Sequence, residues 1–184
     1  MKQDNFKSPD YYSIDRLFSD ENILVRDSVR EWVRNNASPI IEKAALDDIF
    51  PKIFLKGISE IGGYGAFLPE KYGGSNIDFV SYGLMMQELE RCDSSLRVLS
   101  SVQSSLIMKL IYDYGKEGVK SKDLNRLAKG ELIGCFGMTE PSHGSDPSSM
   151  QTKFKKVKNL FFLKIVYVAL LPLKKLVKRR RHTR

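Results

Sequence analysis

Acidic residues are missing from the end of this 184-residue chain. All 22 Asp and Glu lie at or before Asp146, whereas 12 of the 30 Lys and Arg fall in residues 153–184. The formal net charge of +8 therefore averages two unlike stretches: 18 basic against 22 acidic residues before Lys153, and basic residues alone after it. An average of that origin does not mark a nucleic-acid-binding surface. Cysteine and histidine are scarce as well. Cys92 and Cys135 stand far apart, with no Cys or His at ligand spacing, which excludes a disulfide framework and a structural zinc site and fits a reducing compartment. The longest apolar run, residues 160–173, is interrupted by Lys164 and Pro172 and falls short of the ~20 residues that span a bilayer. The opening MKQDNFKSPDYYSIDRLF has charges and no apolar core, so neither a secretory signal nor an Arg-rich transit peptide is expected. A cytoplasmic location is the expectation.

What the chain does have is helical pattern. Ser19 precedes Asp20 and Glu21, and Val25, Val29, Trp32 and Val33 recur on one face, which predicts a capped amphipathic helix. Ser38-Pro39 marks a second start and residues 48–51 a third. Gly62, Gly63, Gly65, Pro69 and the Tyr72-Gly73-Gly74-Ser75 turn are punctuation. Residues 77–92 and 95–114 predict the two longest helices and a central packing pair. A charged helix over 116–129 ends at Gly130, placed for a left-handed C-terminal position. No internal repeat is visible. Trp32, Met85 and Met86 read as core.

After Gly130 the pattern changes. Residues 132–138 predict a strand that makes Cys135 a small buried apolar residue. A loop of turn-formers, residues 139–147, follows. It offers backbone N–H groups, Thr139 Oγ1 and Ser145 Oγ to an acceptor-rich ligand, and Gly144 permits a close approach. On spacing alone, an ordinary capped surface turn describes it better. His143, with no carboxylate or Cys partner at ligand spacing, reads as a solvent-exposed loop residue. Residues 152–157 and 160–168 predict a hairpin around Lys158-Asn159. Arg91 and Arg97 suit surface ion pairs.

Residue identity adds more. GCFGMTEPSHGSDPSSM, residues 134–150, resembles the flavin-binding segment of the acyl-CoA dehydrogenase family. FLPEKYGG (67–74), LERCDSSLR (89–97), SVQSSL (101–106) and LAKGELIG (127–134) fit the same family, SVQSSL its glutaryl-CoA branch in particular. The resemblance spans about residues 15–163. It implies a mainly α fold: a helical amino-terminal domain (1–130), the beginning of a middle β domain (131–163) and, outside the pattern, a basic divergent tail (164–184).

The resemblance also implies FAD as cofactor and an acyl-CoA thioester as substrate. In the family a carboxylate removes the α-proton while hydride leaves the β-carbon for the flavin, chemistry that depends on positioning. Phe136, Gly137, Met138, Thr139, Glu140, Pro141, Gly144 and Ser145 would line FAD, with Thr139 near the flavin ring. Arg97 and Ser145 would sit near the substrate. Full-length members form homo-oligomers.

The departures are equally specific. After residue 163 the Trp-Ile-Thr-like element of the family gives way to KIVYVALLPLKKLVKRRRHTR, and the catalytic carboxylate of the carboxy-terminal domain has no counterpart, so no catalytic residue is assigned. A truncated gene or a shifted reading frame is the expected cause. A fragment of this kind would be inactive alone, or would pair with a full-length relative through an exposed helical face. The alternative is a non-enzymatic helical module whose basic tail attaches to anionic lipid or acidic partners. For a distal substrate carboxylate, Lys52 and Lys56 are the cations on the third helix, and Val98 stands where the glutaryl branch often has a small hydroxyl residue.

Overall fold

The computed structural model describes residues 11–157, 160–164 and 171–172. The first long helix begins where its cap predicts. Ser19 Oγ accepts from the Asn22 N–H at 3.1 Å and Asn22 Oδ1 accepts from the Ser19 N–H at 3.0 Å, satisfying two donors that a helix start leaves open. Helix α1 (Asp20–Trp32) runs through a wider π-helical turn (Val33–Ala37) into α2 (Ser38–Leu46). Helix α3 (Ile53–Glu60) starts slightly after the predicted site. Helix α4 (Phe79–Cys92) is capped by Asp78, whose carboxylate accepts from the Ser81 N–H at 2.8 Å.

A long helix follows in three parts: α5 (Ser94–Ser101), a π-helical stretch (Val102–Met108) and α6 (Lys109–Tyr114). The charged helix is likewise divided into α7 (Glu117–Val119), a π-helical stretch (Lys120–Leu124) and α8 (Asn125–Ala128). It closes at Gly130 with φ of +66°, as expected of a left-handed C-terminal residue. Strand β1 (Leu132–Ile133) pairs antiparallel with β4 (Leu171–Pro172), and β2 (Lys153–Val157) with β3 (Leu160–Lys164), Val157 opposite Leu160. The hairpin forms as predicted over the described residues. Its continuation to residue 168 and the basic tail from residue 174 lie outside them.

The expected strand over 132–138 is a correction: only two residues are extended and paired. The Gly134 N–H donates to a glutamine side chain of the long helix instead of to a neighbouring strand, so the chain leaves the sheet there. Cys135 is consequently exposed and outside the strand, where burial within it was expected.

The core lies among α1, α3, α4, α5 and the two later π-helical stretches. Val29, Phe54, Ile58, Leu89, Leu96, Ile107, Met108, Leu124 and Leu127 fill it, joined by Met85 and Met86, with Trp32 packed at its edge. Each large apolar side chain so buried contributes about 1.5–3 kcal/mol. Polar ties fix the registers. Asn22 Nδ2 donates to Asp78 Oδ2 and Ser81 Oγ, both at 2.8 Å, joining the starts of α1 and α4. Farther along, Arg30 grips the buried Glu88 carboxylate through Nε (3.0 Å) and Nη2 (2.8 Å). This two-point contact, with Arg91 Nη1 at 3.5 Å, compensates the removal of Glu88 from water.

Candidate functional site

The site is built on the polar seam of the long helix. Ser100, Gln103 and Ser104 sit at the ends of their side chains inside the protein, each 1% exposed or less. Ser100 Oγ donates to Gly63 O at 2.5 Å, and Ser104 Oγ accepts from the Gly65 N–H at 2.9 Å. Gly65 holds φ of +66°, and a Cβ there would run into the Met108 side chain, so the glycine loop lies directly on the helix. Gln103 serves the next segment. Its Nε2 donates to Leu127 O (3.1 Å) and Leu132 O (2.8 Å), and its Oε1 accepts from the Gly134 N–H (2.9 Å).

From Gly134 the chain emerges as a loop. Cys135, Phe136, Gly137, Met138 and Thr139 are exposed, as are Pro141, Gly144 and Ser145. The Glu140 N–H donates to His143 O and the His143 N–H to Glu140 O, both at 3.2 Å, closing a tight turn over Pro141 and Ser142. The Glu140 carboxylate then reaches the far end of the loop. It accepts from the N–H groups of Gln151 (2.9 Å) and Thr152 (2.8 Å) and from the Thr152 hydroxyl. These bonds, that of the Thr152 hydroxyl first, hold its pKa below the usual carboxylate range. Asp146 accepts from the Ser149 hydroxyl at the base of the following 3₁₀ turn (Pro147–Ser149).

His143 departs from expectation. It is half-buried, and its Nε2 is shut off from solvent without a hydrogen-bond partner among the described residues. Glu140, expected among the cofactor contacts, is engaged in clamping the loop. Thr139 and Ser145 keep their hydroxyls open, with no side-chain hydrogen bond to another described residue, and a Cβ at Gly144 would meet nothing within 4 Å. The result is a ledge of exposed donors flanked by the apolar side chains of Phe136 and Met138.

Arg97 lies six residues before Gln103 on the same helix, roughly 9 Å along its axis. It donates through Nε to Glu90 and through Nη1 to Ser101 Oγ at 3.5 Å. Ser94's hydroxyl, and then Arg97, hold Glu90 below the usual carboxylate range. The helix thus joins Arg97 to the loop base, although the two were read from separate motifs. Lys52 and Lys56 are both exposed, and Lys56 pairs with Glu60 at 3.1 Å. Gln103 was noticed only as part of SVQSSL. The signal available was a run of polar residues inside an apolar helical pattern.

Residues 19–131 match the family model described as acyl-CoA dehydrogenase, N-terminal domain. The chain belongs to the acyl-CoA dehydrogenase family. It is 34% identical over 143 residues to an acyl-CoA dehydrogenase of Bacillus subtilis, covering 78% of this chain and 38% of that one. To a short-chain specific acyl-CoA dehydrogenase of Clostridium acetobutylicum it is 37% identical over 132 residues, covering 72% and 35%. The structure is similar to a glutaryl-CoA dehydrogenase of Mycobacterium smegmatis in complex with FADH2, with a TM-score of 0.79 and 38% identity over 83% of this chain and 39% of that one. The chain therefore spans well under half the length of these relatives.

The loop fits a flavin chemically. An isoalloxazine ring is flat, with an apolar edge and an acceptor-rich edge, and the ledge offers apolar surface beside free hydroxyls and open space at Gly144. Among the described residues no group of His, Cys, Asp and Glu could hold a metal ion, and no helix is long and apolar enough to cross a membrane.

Proposed function

We propose that this chain is the amino-terminal part of a flavin-dependent acyl-CoA dehydrogenase of the glutaryl-CoA type. The observation that supports the reading is the exposed loop 135–145, tied at both ends and resting on the helix that carries Arg97. In this reading residues 1–130 are the helical domain, residues 131–163 begin a β domain, and the flavin-side groups are Phe136, Gly137, Met138, Thr139, Pro141, Gly144 and Ser145. Glu140 acts beneath them as the clamp.

Bound FAD would supply the acceptor for hydride leaving the substrate β-carbon. The residues of this chain orient and exclude water. Thr139 Oγ1 and loop N–H groups would donate to bound FAD, Phe136 and Met138 would give it apolar cover, and Ser145 would serve the substrate side. Arg97 supplies the positive charge on the substrate side. Its guanidinium, already steered by Glu90 and Ser101, suits a carboxylate better than a plain acyl chain, which favours a dicarboxylic acyl-CoA. Val98, beside it, offers no hydroxyl to that carboxylate, so Arg97 carries the recognition. No carboxylate here is assigned as the base that removes the α-proton.

The test is a flavin absorbance and fluorescence titration of the 184-residue chain, beside a version extended by the carboxy-terminal portion of a relative. The extended protein should bind FAD at least tenfold more tightly and oxidise glutaryl-CoA in preference to butyryl-CoA. Failure of both proteins to perturb flavin fluorescence would sink the flavin reading. Equal turnover of the two acyl-CoAs, unaffected by Arg97→Met, would sink the dicarboxylate preference alone.

A further inference from the structure

We infer that Gln103 is a positioning residue which sets the place and rigidity of the flavin loop, although it lies inside the protein and touches none of the loop's exposed donors. This rests on the flavin reading for its purpose, but not for its geometry. A buried primary amide has two donors and one oxygen to satisfy, and here each finds a backbone group of a different structural unit. Leu127 O belongs to α8, Leu132 O to β1, and the Gly134 N–H is the last backbone donor before the loop. One side chain thus ties together the end of the charged helix, the short strand and the root of the loop.

Helical spacing explains how the helix can do this. Ser100, Gln103 and Ser104, at i, i+3 and i+4, share one buried seam, with Ser100 and Ser104 on the glycine loop and Gln103 on the root of the flavin loop. The seat of Gly134 leaves no latitude. A Cβ at that position would lie 2.6 Å from Ile107 Cγ2, so the root is pressed onto the same helix that bonds it. Residues 135–139 have no strand partner among the described residues, and the ledge is held by Gln103 at its root and by the Glu140 carboxylate on residues 151 and 152. Loss of the first would leave residues 135–139 held from the Glu140 side alone.

The experiment compares the 184-residue protein with Gln103→Met, which keeps the volume and removes all three bonds, and with Ser59→Ala as control. Ser59 Oγ also ties α8, donating to Ala128 O at 2.8 Å, but has no contact with the loop root. Amide hydrogen exchange is followed in peptides covering residues 132–150 and 84–96, and FAD affinity by fluorescence quenching. Gln103→Met should speed exchange in 132–150 about tenfold and weaken FAD by a similar factor, the scale of one buried hydrogen-bonded contact. Exchange in 84–96 should stay unchanged, and Ser59→Ala should alter neither loop exchange nor FAD binding. Unchanged exchange in 132–150, or an equal rise in both peptides, overturns the inference. So does faster loop exchange with undiminished FAD affinity. If the native chain leaves flavin fluorescence unperturbed, the flavin reading has failed for it and the exchange data still decide the anchoring. Should Gln103→Met not fold, Gln103→Glu retains the acceptor for Gly134 and is judged by the same readouts.

Discussion

Glu140 shows how a residue inside a functional loop can serve the loop before any ligand. Its carboxylate collects two N–H groups and a hydroxyl from residues 151 and 152, and its depressed pKa records that preference for the charged form. The sign of the linkage follows. A carboxyl group whose folded pKa lies below its unfolded value, ordinarily about 4.3, stabilises the closed loop above that pH, and the contribution is lost as pH falls through the depressed value. The amide NMR signals of Gln151 and Thr152 should therefore hold steady from pH 7 to about 5 and move below about 4. Glu140→Gln should show the acid-like positions at neutral pH. Acid-independent signals, with helical circular dichroism constant, would remove Glu140 from the clamp. The motif placed Glu140 in the loop correctly, yet could not say which way its carboxylate turned, since that depends on residues eleven and twelve positions later.

At the scale of elements, close helix contacts decide more than helix propensity does. Gly57 lies in α3 with its Cα against the Trp32 indole of α1, where an added Cβ would meet Cζ2 of the ring and lie 3.1 Å from Cε2. Alanine is the better helix former by about 1 kcal/mol, but forcing a methyl group into a packed contact costs about 1–3 kcal/mol. Overpacking should win. Gly57→Ala is expected to lower the urea midpoint, followed through the fluorescence of Trp32, and a raised midpoint would mean that the indole moves aside freely. Helix starts and stops were legible at Ser19 and Gly130 because caps and left-handed glycines act locally. The π-helical stretches were not. Apolar periodicity read residues 95–114 as one uniform helix, whereas the helix widens over Val102–Met108, where Ser104 bonds glycines some 40 positions earlier in the chain.

For the whole molecule, the helical part carries its own core, while residues 135–145 form an exposed loop beyond it. A ligand that binds only the folded loop must raise stability by mass action, about 2.7 kcal/mol at one hundred times its dissociation constant. FAD at that excess should raise the melting temperature of the extended protein, and Gln103→Met should reduce the shift measured at the same FAD concentration. No shift in the presence of saturating FAD would contradict binding to the native fold. The expectation of a basic tail seeking anionic surfaces stays a matter of composition, because those residues lie outside the described structure.

Family, mainly α fold and the turn-rich loop after β1 were readable from residue identity and periodicity alone, because capping, turn formation and a contiguous motif are properties of neighbouring residues. Tertiary structure alone decided that β1 stops after Ile133, that Cys135 emerges to solvent while His143 is partly covered, and that Glu140 clamps rather than presents. It also decided that Gln103 bonds Leu127, Leu132 and Gly134 at once. The physical reason for the strand end, the clamp and the Gln103 bonds is the same: a polar group finds its hydrogen-bond partner at a distant position in the chain, and leaving a buried backbone group unpaired is costly.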